Sequence, residues 1–157
     1  PEQFSNMSLM STLGIRPGGG CHYLPEGYVA MARQLFPLVN KHHYSVDSKV
    51  SLTPPNIQSV AYTTERKDEI RLTFDQEVKW DGEIAGRFYL DGKDARLTTD
   101  SGTGKVLILK MAEPSTAKTL SYIKGDKWRQ ADAIVWGTNG IAALTFCELP
   151  IQPARSR

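Results

Sequence analysis

Glu69-Ile70-Arg71-Leu72-Thr73-Phe74 alternates polar and apolar side chains without a break, and a period of two places Ile70, Leu72 and Phe74 on one face of an extended strand. Lys105-Val106-Leu107-Ile108-Leu109-Lys110 is apolar on nearly both sides, as an inner strand covered by two layers would be. Outward from these lie 57–62, 87–90, 119–123 and 143–149, short runs rich in β-branched and aromatic residues with Gly, Asp, Asn, Ser and Lys clusters between them. Six to eight such strands in about a hundred residues predict a two-sheet β-sandwich over 55–151. The chain shows no internal repeat and no low-complexity tract.

Upstream the pattern changes. Leu9-Met10-Ser11-Thr12-Leu13-Gly14-Ile15 is a short apolar run suited to a buried strand, and Arg16-Pro17 with Gly18-Gly19-Gly20 must then form a loop. From Pro25 the period is helical. Tyr28, Met31, Ala32, Leu35, Phe36 and Val39 recur at spacings of three and four, which makes one apolar stripe. Pro25 is tolerated in a first turn, whereas Pro37 predicts a kink or a limit of about three turns. The polar stretch 41–49, ending at Pro54-Pro55, reads as a linker. A single strand-loop-helix unit cannot bury its own apolar faces, so something else must cover it.

With 40% hydrophobic and 23% charged residues in 157, the composition is that of a chain with a real core. A formal net charge of +2, evenly spread, gives no footprint for nucleic acid or an anionic membrane. No run of eighteen apolar residues exists, so no membrane span is expected. Pro1-Glu2-Gln3-Phe4 shows neither the basic nor the apolar part of a signal peptide. Cys21 and Cys147 form no CxxC pair or metal-ligand cluster. They stand as two buried thiols or as one bridge in an oxidising compartment.

His22 is the candidate catalytic residue. A general base needs a polar handle near solvent, a fixed tautomer and room for a nucleophile, and a glycine-rich loop supplies the room. The ordinary alternative is a loop histidine with a structural hydrogen bond. The stretch Cys21-His22-Tyr23-Leu24-Pro25-Glu26-Gly27-Tyr28, with Ala30-Met31-Ala32 and Leu35 behind it, resembles the last block of the SGNH (GDSL-like) esterase superfamily, closest to its sialate O-acetylesterase-like branch in bacterial carbohydrate metabolism. The resemblance covers about residues 5–45. It implies that His22 is the base activating a serine near the N-terminus of the catalytic domain, that the substrate is an acetylated carbohydrate, that no cofactor takes part, and that the protein is secreted or periplasmic.

The chain departs from that pattern in two ways. The family places an aspartate three residues before the histidine, where this chain has Gly19, so the histidine works as a dyad held by a backbone carbonyl, or another carboxylate substitutes, or the likeness misleads. No Gly-Asp-Ser motif and no glycine or asparagine block for an oxyanion hole is present, and Ser5, Ser8 and Ser11 lie in no nucleophile-like setting. The 157 residues alone are therefore expected to be inactive, their partner being the missing N-terminal part of the catalytic domain.

The β region has its own likeness. Pro55-Asn56-Ile57-Gln58-Ser59-Val60, then 69–78 with its strand ending in Phe74 and a short turn, resembles the opening of bacterial immunoglobulin-like surface domains. Asn139-Gly140-Ile141-Ala142-Ala143-Leu144-Thr145-Phe146 resembles the ending of accessory β-domains in sialate O-acetylesterase-like enzymes. Trp80, Trp128 and Trp136 are either sugar-stacking platforms, with Trp128 the most exposed, or caps on the open ends of a sandwich core with each indole N–H on a loop carbonyl. His42-His43 points two ways and suits no metal, and Asp75, Asp81, Asp126 and Asp132 lack calcium-loop spacing.

The expected architecture is α+β: a C-terminal strand-loop-helix fragment of an α/β SGNH domain over 1–46, a linker over 47–54, an all-β immunoglobulin-like sandwich over 55–151, and a disordered tail over 152–157. The expected function is that of the C-terminal fragment of a carbohydrate O-acetyl esterase with an accessory sandwich. Its rival is a non-catalytic carbohydrate-binding or spacer module of a bacterial surface protein.

Overall fold

A computed structural model describes residues 7–16, 18–19, 22–124 and 133–154. Two short strands, β1 (Gly18–Gly19) and β2 (His22–Tyr23), form a hairpin that leads into helix α1 (Pro25–Tyr44). The rest is β: β3 (Ile57–Tyr62), β4 (Glu69–Trp80), a 3-10 turn (Gly82–Arg87), β5 (Phe88–Leu90), β6 (Lys93–Asp94), β7 (Leu97–Thr98), β8 (Gly102–Met111), β9 (Thr119–Tyr122), β10 (Trp136–Gly137) and β11 (Phe146–Pro150).

The β region forms two antiparallel sheets. In the larger, β4 is the hub: its first half lies between β3 and β8, its second half between β10 and β8, and β7 pairs with the far side of β8. The smaller has the order β11-β9-β5-β6. Ile70, Leu72 and Phe74 turn inward as the alternation predicts, and meet Leu107 and Leu109 from β8 and Phe88, Leu120 and Tyr122 from the smaller sheet in one core. Tyr122 stacks on Phe88 at 4.9 Å between ring centroids, with Phe146 at 5.8 Å. Its hydroxyl accepts the Val135 N–H at 2.8 Å, and burial pushes the phenol well above its ordinary pKa.

Several expectations need correction. Strand β4 does not end at Phe74; it continues to Trp80, because a register shift between Thr73 and Val78 lets the polar residues 75–77 bulge while the strand changes its neighbour from β3 to β10. Leu9–Ile15 is irregular rather than a strand, with a turn at Leu13-Gly14. Gly14 has φ +77° and sits against the indole of Trp136, so the chain bends onto the β region here instead of extending. Pro37 does not stop α1, which runs 20 residues; the carbonyl freed one turn earlier, that of Arg33, lies on an exposed part of the helix where water can satisfy it. The helix ends at Ser45, left-handed at φ 52°, with the Val46 N–H returning to the Asn40 carbonyl.

The supposed linker over 47–54 is tied down at its end: Asn139 Nδ2 donates to the carbonyls of Ser51 and Thr53, and Pro54 and Pro55 are buried. The expected disordered tail over 152–157 is ordered at its start. Gln152 bridges in parallel to Ala61 and exchanges backbone hydrogen bonds with Val60 and Tyr62, which covers the open edge of β3; residues 155–157 lie outside the described set. Cys147 is an exposed free thiol and not a buried one. Cys21 lies outside the described residues.

Candidate functional site

His22 stands on β2, directly across the hairpin from Gly19. The position where the resembling family has its aspartate is thus a backbone partner of the histidine, without a side chain to offer. The ring is exposed. Its Nδ1 lies 3.5 Å from the hydroxyl of Tyr28, a long contact, and no carboxylate bonds to it among the described residues. Tyr28 is itself placed: its ring meets that of Tyr23 edge-to-face at 5.7 Å, and the Tyr23 hydroxyl donates to the Thr12 carbonyl at 3.2 Å. Strand pairing, the start of α1 and the segment before the hairpin therefore converge on one imidazole, leaving Nε2 without a hydrogen bond among the described residues. With Nδ1–H donating to the Tyr28 hydroxyl, Nε2 is the nitrogen left to accept a proton from a nucleophile.

Sequence reasoning missed Tyr28 as the partner of His22, assigning it only to the apolar stripe. The signal was present in Gly27-Tyr28: Tyr28 stands six positions after His22, and a helix beginning between them turns the tyrosine back toward the strand.

The helix has two different apolar faces. Gly27 and Leu38 are buried, with Ala30, Met31 and Gln34 partly so. The segment before the hairpin is tied to the far end of the helix through Ser8 Oγ and His42 Nε2 at 2.9 Å, and to β2 just ahead of the helix through the Tyr23–Thr12 bond. The predicted stripe is centred about a third of a turn away at ~100° per residue and, apart from the half-buried Met31, is exposed. Tyr28 is 44% exposed, Leu35 43%, Phe36 63% and Val39 37%. Ser8 is thus occupied by His42, and Ser11 is buried; Ser5 lies outside the described residues.

A second feature lies at the end of the larger sheet. Trp136, Lys79 and Thr103 stand side by side on adjacent strands, since Trp136 pairs with Lys79 and Lys79 with Thr103. Trp80, the next residue, lies across from Gly102 and donates its indole N–H to the Asp100 carbonyl at 2.6 Å. A Cβ at position 102 would fall 2.8 Å from its ring, so only glycine leaves the indole where it is. The two tryptophans, with Arg16, Lys79 and Asp81, border a cleft of about 660 Å³. Trp80 accordingly matches the core-cap expectation in its N–H and still lends a wall to a cleft. Trp128 lies outside the described residues.

Among the described residues no three His, Cys, Asp or Glu side chains gather as a metal site, and no helix is long and apolar enough to cross a membrane. The pKa of Asp91 is lowered by the backbone N–H groups of Lys118 and Thr119, a turn device in the β region and not part of either site. Searches against family models, curated proteins and solved structures return no match to this chain.

Proposed function

We propose that His22 is the general base of an SGNH-type carbohydrate O-acetyl esterase centre whose serine and oxyanion donors come from outside these 157 residues, and that the β region is its immunoglobulin-like accessory sandwich. The observation that carries this reading is an exposed imidazole with the Tyr28 hydroxyl at Nδ1, beside a helix on which Tyr28, Leu35, Phe36 and Val39 are exposed. Each side chain such as Leu35 or Phe36 gains about 1.5–3 kcal/mol when fully covered, so the bare face supports docking of further structure next to the base.

In the proposed reaction Nε2 of His22 takes the proton of the serine hydroxyl as its oxygen attacks the acetyl carbonyl. The C–O bond to the sugar then breaks, and the sugar oxygen leaves with that proton. Water, losing a proton to the same Nε2, attacks the acetyl-serine; acetate departs and the serine oxygen recovers its proton. Tyr28 holds the ring in register for both transfers. Secretion or a periplasmic address goes with this reading.

The experiment is hydrolysis of 4-nitrophenyl acetate and of an O-acetylated sugar. The 157-residue chain is expected to match an equal concentration of free imidazole and no more. A longer polypeptide that includes the sequence upstream of Pro1 is expected to be active, and to lose at least ~10³-fold in kcat on His22→Ala. Full activity in that variant, or an upstream sequence without a Gly-Asp-Ser-like segment, sinks the enzyme reading. The Trp80–Trp136 cleft favours a second role: the sandwich as a carbohydrate-binding module, tested by retention on insoluble polysaccharides.

A further inference from the structure

We propose that the cleft beside Trp136 binds a saccharide that carries a carboxylate, its ring against the Trp136 indole and its acid on Arg16 and Lys79. This rests on the sandwich being a carbohydrate-binding module and names the class of its ligand. The walls are set before any ligand arrives. Trp136 is abutted by Gly14, where a Cβ would fall 2.5 Å from its ring, and stands in line with Lys79 and Thr103 on one face of the sheet; Trp80, on the opposite face, borders the end of the cleft, its N–H on Asp100 and its ring against Gly102. A fixed aromatic wall costs little ordering on binding and offers apolar surface to the C–H face of a pyranose. A volume of about 660 Å³ is within the ~300–1,000 Å³ usual for small-ligand sites. The row from Trp136 through Lys79 to Thr103 spans two strand spacings, ~10 Å, room for a disaccharide with a hydroxyl partner at its end.

Charge selects the acid. Among the described residues the cleft has two cations, Arg16 and Lys79, against one carboxylate, Asp81. Asp81 is engaged in accepting the Glu83 N–H at 3.1 Å at the start of the 3-10 turn, whereas neither cation makes an ion pair among the described residues. Arg16 and Lys79 are exposed at its rim. A guanidinium presents two parallel donors that match the two oxygens of a carboxylate, and an ammonium beside it adds a second charge-assisted bond. A neutral sugar would leave both unused.

The test titrates the intact chain with tetragalacturonate and with maltotetraose at low salt, by calorimetry and tryptophan fluorescence. Tetragalacturonate is expected to bind at least 10-fold more tightly, and to weaken as sodium chloride is raised to 0.5 M. Arg16→Gln and Lys79→Gln, both surface changes with unaltered thermal unfolding, are each expected to cost the acidic ligand about 10-fold and the neutral one nothing. Equal affinity for the two ligands, or an acidic preference that survives both substitutions, overturns the acid assignment while leaving a carbohydrate module standing. No binding of either ligand at millimolar concentration overturns both.

Discussion

Tyr122→Phe removes one atom from the middle of the β core. The ring is 1% exposed and stacked on Phe88, and its hydroxyl is the partner of the Val135 N–H, itself on a fully buried residue. Phenylalanine keeps the stacking and leaves almost the same volume, so no appreciable cavity forms. What remains is a buried donor with nothing to bind, for which the cost is about 1–3 kcal/mol. In urea, with a slope of roughly 2 kcal/mol per molar for a chain of this size, a 2 kcal/mol loss moves the midpoint down by about 1 M. Tyr44→Phe, at a 70% exposed site, serves as the control and is expected to change stability by less than ~0.5 kcal/mol. The same hydroxyl sets a pH dependence. In the folded state burial raises the phenol's pKa, so between its unfolded value near 10 and its folded one the unfolded chain releases a proton that the folded chain keeps. Stability of the natural protein must therefore fall as pH rises above about 10, and the phenylalanine variant must lack that component. A variant within 0.3 kcal/mol of the natural protein at pH 7, or one with an unchanged alkaline slope, refutes the assignment of Tyr122 as a buried structural acceptor.

Gly14→Ala is expected to cost about 1–3 kcal/mol in thermal unfolding, since its φ is +77° and a Cβ would fall 2.5 Å from Cη2 of Trp136; the near-UV circular dichroism of the indole should change with it. Asp91→Asn removes a charge that accepts from the N–H groups of Lys118 and Thr119 and from the Thr119 hydroxyl. Because those bonds depress the folded pKa, the stabilisation is full above about pH 4 and fades as pH falls through the folded value, so the natural protein should lose stability there and the variant should show a flatter acid limb. Leu35→Ser with Phe36→Ser should leave the stability of the 157 residues within ~0.5 kcal/mol, while abolishing the esterase activity of the longer polypeptide.

The β core was legible in the sequence where one face is wet. Ile70, Leu72 and Phe74 reveal their direction because Arg71 and Thr73 stand between them, and residues 57–62 are a strand as read. The extension of β4 to Trp80 was hidden by Asp75-Gln76-Glu77, whose polarity resembles a turn and in fact marks a bulge, where a strand exchanges partners. Arg87 fell inside the expected strand but closes a 3-10 turn capped by Asp81, a local hydrogen bond that hydrophobic period cannot show. Leu9–Ile15 misled for another reason: Gly14 turns the chain against Trp136, a contact at long sequence separation, and the segment enters no strand pairing. The cleft was half visible. Three tryptophans drew notice, but nothing local says that Arg16 and Lys79, 63 residues apart, share one rim.

The helix stripe and the imidazole are one question, because Tyr28 belongs to both. A chain that needed only its own segment against α1 would carry polar residues over the rest of the helix, as surface helices do. Instead Leu35, Phe36 and Val39 are bare, in line with Tyr28, whose hydroxyl is at Nδ1 of His22. On the proposed reading, whatever covers that stripe must touch Tyr28, and by pressing its ring against Tyr23 it shortens a contact that is now 3.5 Å. Docking and positioning of the base would then be coupled, so that the imidazole is held firmly only when the part bearing the serine is in place. Tyr28→Phe separates the two effects: the stripe keeps its apolar surface and still docks, while kcat of the longer polypeptide falls and its KM does not.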